Sequence, residues 1–263
     1  MTRFAPGGRK YRTDPPIRIF QNRFLESFTL TPFRVFFACW LVILCLAFWL
    51  AGTQALSWPS LVLWSVVGFL IWFPCEYVVH RYPFHWQPNH PALSRLVYVI
   101  HGNHHIQPNH PLRTLMPVVV SLPIGLGLLA LFTALIGSAR GCSLWAGFLL
   151  GYVVYDTVHY ACHNWPMRRG IARWVRRHHM LHHYRNEDTN YQISFPPIDY
   201  VMRSQFRRTV SVTHTVRRQK VQSQLIGTPP APQSKIKPKS QMQLKRRPQK
   251  VEPGVIQESK AGF

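Results

Sequence analysis

Acidic residues are scarce in this chain. Only 9 of its 263 residues are Asp or Glu, against 31 Lys and Arg, which gives a formal net charge of +22. Such a charge suggests nucleic-acid binding, but that class of protein does not explain four long apolar runs with almost no charge in them. Nearly all the basic residues lie outside these runs. The pattern therefore favours a polytopic membrane protein, and we expect no nucleic-acid partner.

Regular cysteine spacing is also missing. The chain has no CxxC pair, and its five cysteines lie within or beside apolar runs, at Cys39, Cys45, Cys75, Cys142 and Cys162. We expect packed apolar side chains there rather than disulfides or metal ligands. The N-terminus lacks an apolar core followed by a cleavage site, so we expect no signal peptide.

The four apolar runs are each long enough to cross a hydrocarbon layer about 30 Å thick at about 1.5 Å per residue. They cover residues 33–51, 58–79, 115–136 and 144–163, and a short connection at 137–143 separates the last two. The sequence thus predicts an all-α integral membrane protein with about four transmembrane helices. The expected parts are an N-terminal segment at 1–32, a membrane domain at 33–206 and a basic, disordered tail at 207–263.

The basic residues also predict an orientation. With four spans, residues 1–32, the loop at 80–113 and everything after 164 lie on one side, and Arg140 is the only Lys or Arg on the other. Basic residues accumulate on the cytoplasmic side, so we expect these segments in the cytosol. Residues 164–206 are expected to form an amphipathic cytosolic cap.

Histidines are abundant and clustered. Ten of them fall in four clusters, which are His80 and His85, His101, His104 and His105, His159 and His163, and His179, His182 and His183. Spacings of three and four residues share one helix face, so we expect each cluster to converge on a single metal ion. Pro83 is expected to break the helix between His80 and His85, and the kink turns both imidazoles toward one centre.

The number of histidines indicates the kind of site. A structural zinc needs about four ligands and a catalytic zinc about three, so ten suit two metal ions. Imidazole alone leaves zinc, copper, iron and nickel open. An all-histidine shell leaves the metal charge uncompensated, which favours an anionic oxygen species. Beside a membrane this indicates dioxygen activation and attack on a lipid C–H bond.

Two carboxylates lie close to the clusters in sequence. Glu76 precedes His80 by four residues and Asp156 precedes His159 by three. Each can orient a metal-binding imidazole, or each can simply form hydrogen bonds within the helical bundle. Both interpretations remain open.

An identical pentapeptide, Gln-Pro-Asn-His-Pro, occurs at residues 87–91 and 107–111, shortly after two of the clusters. Proline and asparagine favour turns, so we interpret both copies as turn sequences. We therefore leave His90 and His110 out of the predicted metal site.

The ordered motifs resemble a known superfamily. Glu76-Tyr-Val-Val-His80-Arg-Tyr-Pro-Phe-His85, His101-Gly-Asn-His-His105, Tyr155-Asp-Thr-Val-His159-Tyr-Ala-Cys-His163 and His179-Met-Leu-His-His183 are similar to the fatty acid hydroxylase/sterol desaturase superfamily, most of all its fatty acid 2-hydroxylase branch. The resemblance covers roughly residues 60–200. It implies a membrane-bound dimetal oxygenase with the ten histidines as ligands, an iron pair and O₂ as co-substrate. His178 has no matching role.

The resemblance also implies an electron donor. Some members carry a fused cytochrome b5 domain, but this chain lacks its His-Pro-Gly-Gly haem motif. We therefore expect a separate donor that is cytochrome b5-like or ferredoxin-like. By resemblance, the protein is expected in a bacterial inner membrane or the endoplasmic reticulum. The usual Trp-Asp-Tyr element is also missing, and Ile198-Asp199-Tyr200 stands in that region.

Other functions use the same ligand set. Sterol desaturation, sterol methyl oxidation and carotenoid ring hydroxylation differ from lipid hydroxylation in pocket shape, which the sequence does not reveal. A metal transporter or sensor is the non-enzymatic alternative. Transport favours ligands at mid-membrane depth, whereas these clusters lie at span ends and in cytosolic segments, which favours a fixed site.

Overall fold

The computed structural model describes residues 14–207, and within that range every regular element is helical. The helices are α1 (Arg23–Ser27), α2 (Phe33–Gly52), α3 (Trp58–Val79), α4 (Pro91–Val97), α5 (Asn103–Ile106), α6 (Val118–Ile136), α7 (Ser138–Asn164), α8 (Gly170–Tyr184) and α9 (Pro197–Val201). Two π-helical turns, His80–Phe84 and Tyr98–Gly102, continue α3 and α4. The predicted all-α class is confirmed for this range. Apart from Arg207, the predicted tail lies outside the described residues.

Three helices are long and apolar enough to cross a membrane. They are α2, α3 together with its π-helical turn (Trp58–Phe84), and α6. They match the first three predicted spans in position. The third begins three residues later than expected. The residue before Pro117 is disfavoured in the helical conformation, and Pro117 itself is extended, with ψ at 134°, so the helix begins at Val118.

The fourth predicted span lies within α7, a 27-residue helix that is not among the membrane-length apolar helices. Most of α7 is buried because it packs against α2, α3 and α6. The connection predicted at 137–143 is wrong, since Gly137 alone separates α6 from α7. Its φ of 81° is a conformation that glycine adopts without steric cost. A count of four spans stays a prediction.

Helices α3 and α7 approach each other closely through two glycines. A β-carbon at Gly147 would lie 1.8 Å from the carbonyl oxygen of Ser65, and one at Gly68 would lie 1.9 Å from that of Leu144. Alanine or any larger residue therefore does not fit at either position. Trp145 ties α7 to α6 as well, because its indole N–H donates to the carbonyl of Gly125 at 2.7 Å. The N-terminal half of α7 is therefore held firmly against α3 and α6.

Candidate metal centre

All ten predicted histidines come together in two groups of five, each with its ligand atoms within 4.8 Å of one another. The first histidine group contains His80, His85, His101, His105 and His182. The second histidine group contains His104, His159, His163, His179 and His183. His90, His110 and His178 belong to neither group.

Two of the four sequence clusters are divided between the groups. We expected the histidines of a cluster to converge on one ion; this holds for His80 with His85 and for His159 with His163, but it is wrong for the clusters at 101–105 and 179–183. His101 and His105 belong to the first group, whereas His104 belongs to the second. At 3.6 residues per turn, a residue four positions on is rotated by about 40°, and one three positions on by about 60° in the opposite sense. The clusters at 101–105 and 179–183 therefore contribute to both groups.

The pair His80 and His85 is brought together at a π-helical turn. The α-helix ends at Val79 and Pro83 lies inside the turn His80–Phe84, so the α-helix does not continue to His85, as the proline predicted. A π turn closes hydrogen bonds between residues five apart, which places such residues nearly above one another. The two imidazole centroids are 5.0 Å apart, and both belong to the first group.

The spacing of the donor atoms fits bound metal. In the second group, the Nε2 atoms of His104 and His159 are 2.9 Å apart, and those of His163 and His179 are 2.8 Å apart. Two nitrogens at right angles around one ion, each at about 2.1 Å, lie about 3.0 Å apart. In the first group, the buried Nε2 of His80 has no hydrogen-bond partner among the described residues. Both groups can therefore hold a metal ion through Nε2 atoms.

Four histidines of the two groups, all outside the membrane-length helices, are neutral when no metal is bound. Burial lowers the pKa of His101, His104, His179 and His183 well below the usual value near 6.5, and neighbouring imidazoles lower it further. Neutral imidazole is the form that binds metal, so these rings are ready to bind at neutral pH.

The first group is oriented by the loop between α8 and α9, residues 185–196, which we call the cap loop. The Nδ1 of His80 donates to the carbonyl of Tyr191, and the Nδ1 of His182 donates to the carbonyl of Thr189 at 2.7 Å. A carbonyl oxygen can only accept, so both rings carry their proton on Nδ1 and present the Nε2 lone pair. The cap loop therefore sets both the tautomer and the direction of these two rings.

The second group has little hydrogen-bonded support. Within residues 14–207, the Nδ1 atoms of four of its histidines have no hydrogen-bond partner, namely His104, His159, His179 and His183. The exception is His163, whose Nδ1 lies 3.4 Å from the side-chain oxygen of Asn109. Packing holds the rings instead, as when Tyr155 stacks on His159 with centroids 5.9 Å apart.

Neither of the two predicted carboxylates makes a direct hydrogen bond to a histidine of the groups. Asp156 Oδ1 lies 3.7 Å from Nδ1 of His159, which is longer than a hydrogen bond. Glu76 makes no hydrogen bond to His80. It accepts instead from the backbone N–H groups of Ile193 and Ser194, so it reaches the first group only through the cap loop.

Several contributors were not predicted from the sequence. Asn109 belongs to the second pentapeptide copy, which we interpreted only as a turn; the repetition beside a histidine cluster was the available signal. The carbonyls of Thr189 and Tyr191 have no side-chain signature at all. His178 was left without a role, yet its Nε2 lies 2.9 Å from a carboxylate oxygen of the fully buried Asp199.

A small cleft of about 20 Å³ lies beside both groups. His101, His104 and His159 line one part of it, and apolar side chains line another, including Phe84, Val99, Leu115 and Met116. Its wall also contains the polar side chains of Asn103, Arg113 and Asp156, so the cleft brings histidines of both groups beside a mixed polar and apolar surface.

Helical fold and paired histidine groups together define a membrane-type polyhistidine metal centre. Comparison with known proteins narrows this class. The family described as fatty acid hydroxylase matches residues 65–204, and the chain belongs to that family.

Individual relatives are similar to this chain over most of its length. The dihydroceramide fatty acyl 2-hydroxylase FAH1 of Arabidopsis thaliana is 30% identical over 177 residues, which cover 67% of this chain and 75% of that protein. The ceramide very long chain fatty acid hydroxylase scs7 of Schizosaccharomyces pombe is 28% identical, over 71% of this chain and 54% of that protein. A solved structure of full-length scs7p, in which only the hydroxylase domain is visible, superposes with a TM-score of 0.66 and 25% identity, over 73% of each chain.

Proposed function

We propose that this protein is a membrane-bound oxygenase that hydroxylates a C–H bond of a lipid, on a fatty-acyl or sphingolipid chain, with two metal ions and O₂. The observation that carries the proposal is the pair of five-histidine groups beside a partly apolar cleft. The relatives named fatty acid or ceramide hydroxylases support the choice of substrate. We propose iron as the metal.

The ten histidines would hold the two ions, with five nitrogens for each. When bound, the ion pair supplies the reduction of dioxygen and the oxidation of the C–H bond. In the proposed reaction one oxygen atom enters the lipid and the other leaves as water, so two electrons and two protons are consumed. We propose that a separate cytochrome b5-like or ferredoxin-like protein supplies the electrons.

The chain's own residues would position the substrate. The apolar side chains of the cleft would contact the lipid near its reacting carbon, while His101, His104 and His159 lie at the polar side of the cleft. Of these apolar side chains, Phe84 and Val99 lie in the two π-helical turns, and Leu115 and Met116 lie just before α6. A lipid would then reach the centre from the bilayer, with the histidine groups on the cytosolic face of an inner or endoplasmic reticulum membrane.

Lipid mass spectrometry tests the proposal directly. Cells expressing the wild-type chain with a compatible electron donor, grown under ¹⁸O₂, should contain a new lipid carrying one labelled oxygen. A His104→Ala, His105→Ala double mutant removes one ligand from each group and should lose both the product and the metal.

Other outcomes decide among the alternatives. A product with two fewer hydrogens would indicate a desaturase, and an oxidised sterol or carotenoid would identify those chemistries. Bound metal without any oxidised lipid, together with metal flux in vesicles, would favour a transporter or sensor.

A further inference from the structure

Two buried carboxylates near the centre share one task. Residues 14–207 contain only seven acidic residues, and Glu76 and Asp199 are 2% and 0% exposed. Neither makes a hydrogen bond to a histidine of the two groups. Both instead accept hydrogen bonds from backbone N–H groups of the cap loop, which compensate for burying the two carboxyl groups.

Asp199 binds the first half of this segment. Its Oδ1 accepts from the N–H of Tyr191 at 3.0 Å and its Oδ2 from the N–H of Gln192 at 2.8 Å. The Ser204 hydroxyl donates to Oδ1 at 2.7 Å, and His178 approaches Oδ2 at 2.9 Å. Four donors therefore occupy both oxygens, an arrangement that only a carboxylate satisfies.

Glu76 binds the second half. Its Oε1 accepts from the N–H of Ile193 at 2.6 Å and from the N–H of Ser194 at 3.0 Å, while the Ser194 hydroxyl contacts Oε2. Together the two carboxylates hold four consecutive N–H groups, at residues 191 to 194. One carboxylate comes from α3 and the other from α9, so the segment is held from two separate elements.

The carbonyls that orient the first histidine group lie at the start of this held segment and two residues before it. The Tyr191 carbonyl accepts from His80, and the Thr189 carbonyl two residues earlier accepts from His182. Asn190 between them has a left-handed φ of 56°, and its side chain donates to the carbonyl of His178 at 2.9 Å. A shift of this segment would therefore move the acceptors of two Nδ1–H groups at once.

We propose that Glu76 and Asp199 are positioning residues for the first histidine group. By fixing the cap loop they fix the rings of His80 and His182, so that metal binding in this group depends on the loop and metal binding in the second group does not. The inference rests on the proposed two-metal centre. It assigns the two carboxylates a geometric role rather than one of neutralising the metal charge.

Metal content measured on the purified full chain tests this dependence. Asn at position 199 offers one acceptor oxygen in place of two, and its NH₂ would face donors. Loss of a partner outside the ligand shell typically costs 10–100-fold in metal affinity. At limiting iron, Asp199→Asn should therefore retain about one ion per chain, where the wild type retains about two.

A pair of substitutions at Glu76 separates position from charge. Gln keeps an acceptor for the N–H groups of Ile193 and Ser194, and its NH₂ can donate to the Ser194 hydroxyl. Glu76→Gln should therefore keep both ions, whereas Glu76→Ala should lose the ion of the first group. Equal loss in both variants would mean that the charge matters, and it would overturn the proposal. This pair also decides the question if Asp199→Asn does not yield folded protein.

Glu26→Ala is the control for the loss of a buried carboxylate, and it also removes the ion-pair partner of Arg113. Glu26 is a buried carboxylate that also binds two backbone N–H groups, those of Ile19 and Phe20, in a segment that carries no histidine of the centre. The Glu26→Ala variant should keep both ions. Loss of one ion in this variant would show that the effect is nonspecific and would overturn the inference. Two ions in Asp199→Asn and in Glu76→Ala would overturn the inference but leave the proposed function standing. A wild-type chain without metal would overturn both.

Discussion

The two histidine groups have the same number and type of ligands but are supported in different ways. In the first group, His80 and His182 are oriented by hydrogen bonds to carbonyls of the cap loop. In the second group most Nδ1 atoms lack such partners, and the rings are held by the packing of α7 and α8. Equivalent metal-binding nitrogens can therefore be arranged either by a loop with fixed acceptors or by a tightly packed bundle, and the two groups should respond to different perturbations.

Removing one ligand from each group should have the largest effect. His182→Ala and His179→Ala are three residues apart on α8 but belong to different groups. Each should reduce product by at least about 100-fold, since both ions are needed, but each should remove a different ion. Metal content with iron spectroscopy on the two variants would show two distinct remaining sites. Identical residual spectra would contradict the division into groups.

Acid should affect the second group more strongly. Burial and neighbouring imidazoles lower the pKa of His104, His179 and His183, which all belong to this group. Below about pH 6.5 such a histidine is protonated in the unfolded chain but stays neutral in the folded one, so stability falls as the pH falls. Each contributes a loss of about 1.4 kcal/mol per pH unit in the metal-free protein.

Thermal unfolding of metal-free protein between pH 8 and 5.5 measures this loss. A His104→Leu variant, which cannot titrate at that position, should show a shallower decline. A stability that is flat from pH 8 to 5.5 would show that these rings become protonated in the folded state.

The bundle supporting the second group can be disturbed at its closest contact. In Gly147→Ala the new β-carbon would collide with the Ser65 carbonyl, which we expect to cost about 1–3 kcal/mol of unfolding free energy. A thermal melt in detergent should show a lower transition temperature. Gly127→Ala is the control, because no atom lies within 4 Å of its β-carbon position. Equal stability of the two variants would contradict the close packing of α3 and α7.

The two pentapeptide copies provide the finest comparison. Asn109 is buried, donates to the Tyr184 hydroxyl at 2.7 Å and approaches His163, whereas Asn89 is exposed. Asn109→Ala should weaken iron binding in the second group by about tenfold, and Asn89→Ala should not change it. Competition with a chelator measures both affinities. A similar effect of the two substitutions would show that Asn109 does not support the group.

Much of the fold was predictable because apolar runs and helix length are local properties. The first three runs became α2, α3 and α6 with small changes at their ends. The extent of α7 was not predicted, because Gly137 completes the turn alone through its left-handed φ. The fourth run is more buried than the first three, because contacts with three other helices bury most of α7. Local hydropathy does not reveal such contacts.

The ten histidines were predictable as a set, but their division was not. Spacing alone indicated that a cluster shares a face, whereas the structure separates His104 from His105 by the 100° that one residue turns around a helix. Pairs four residues apart do stay together, as His159 and His163 show. The support of the first group could not be predicted because backbone carbonyls provide it, and every residue has one.

The most direct test of the two-group centre is anomalous X-ray scattering at the iron edge, from crystals of the full chain purified with its metal. Two peaks should appear, one about 2.1 Å from Nε2 atoms of the first histidine group and one at the same distance from those of the second. A single peak shared by both groups, or peaks away from the ten histidines, would contradict the account.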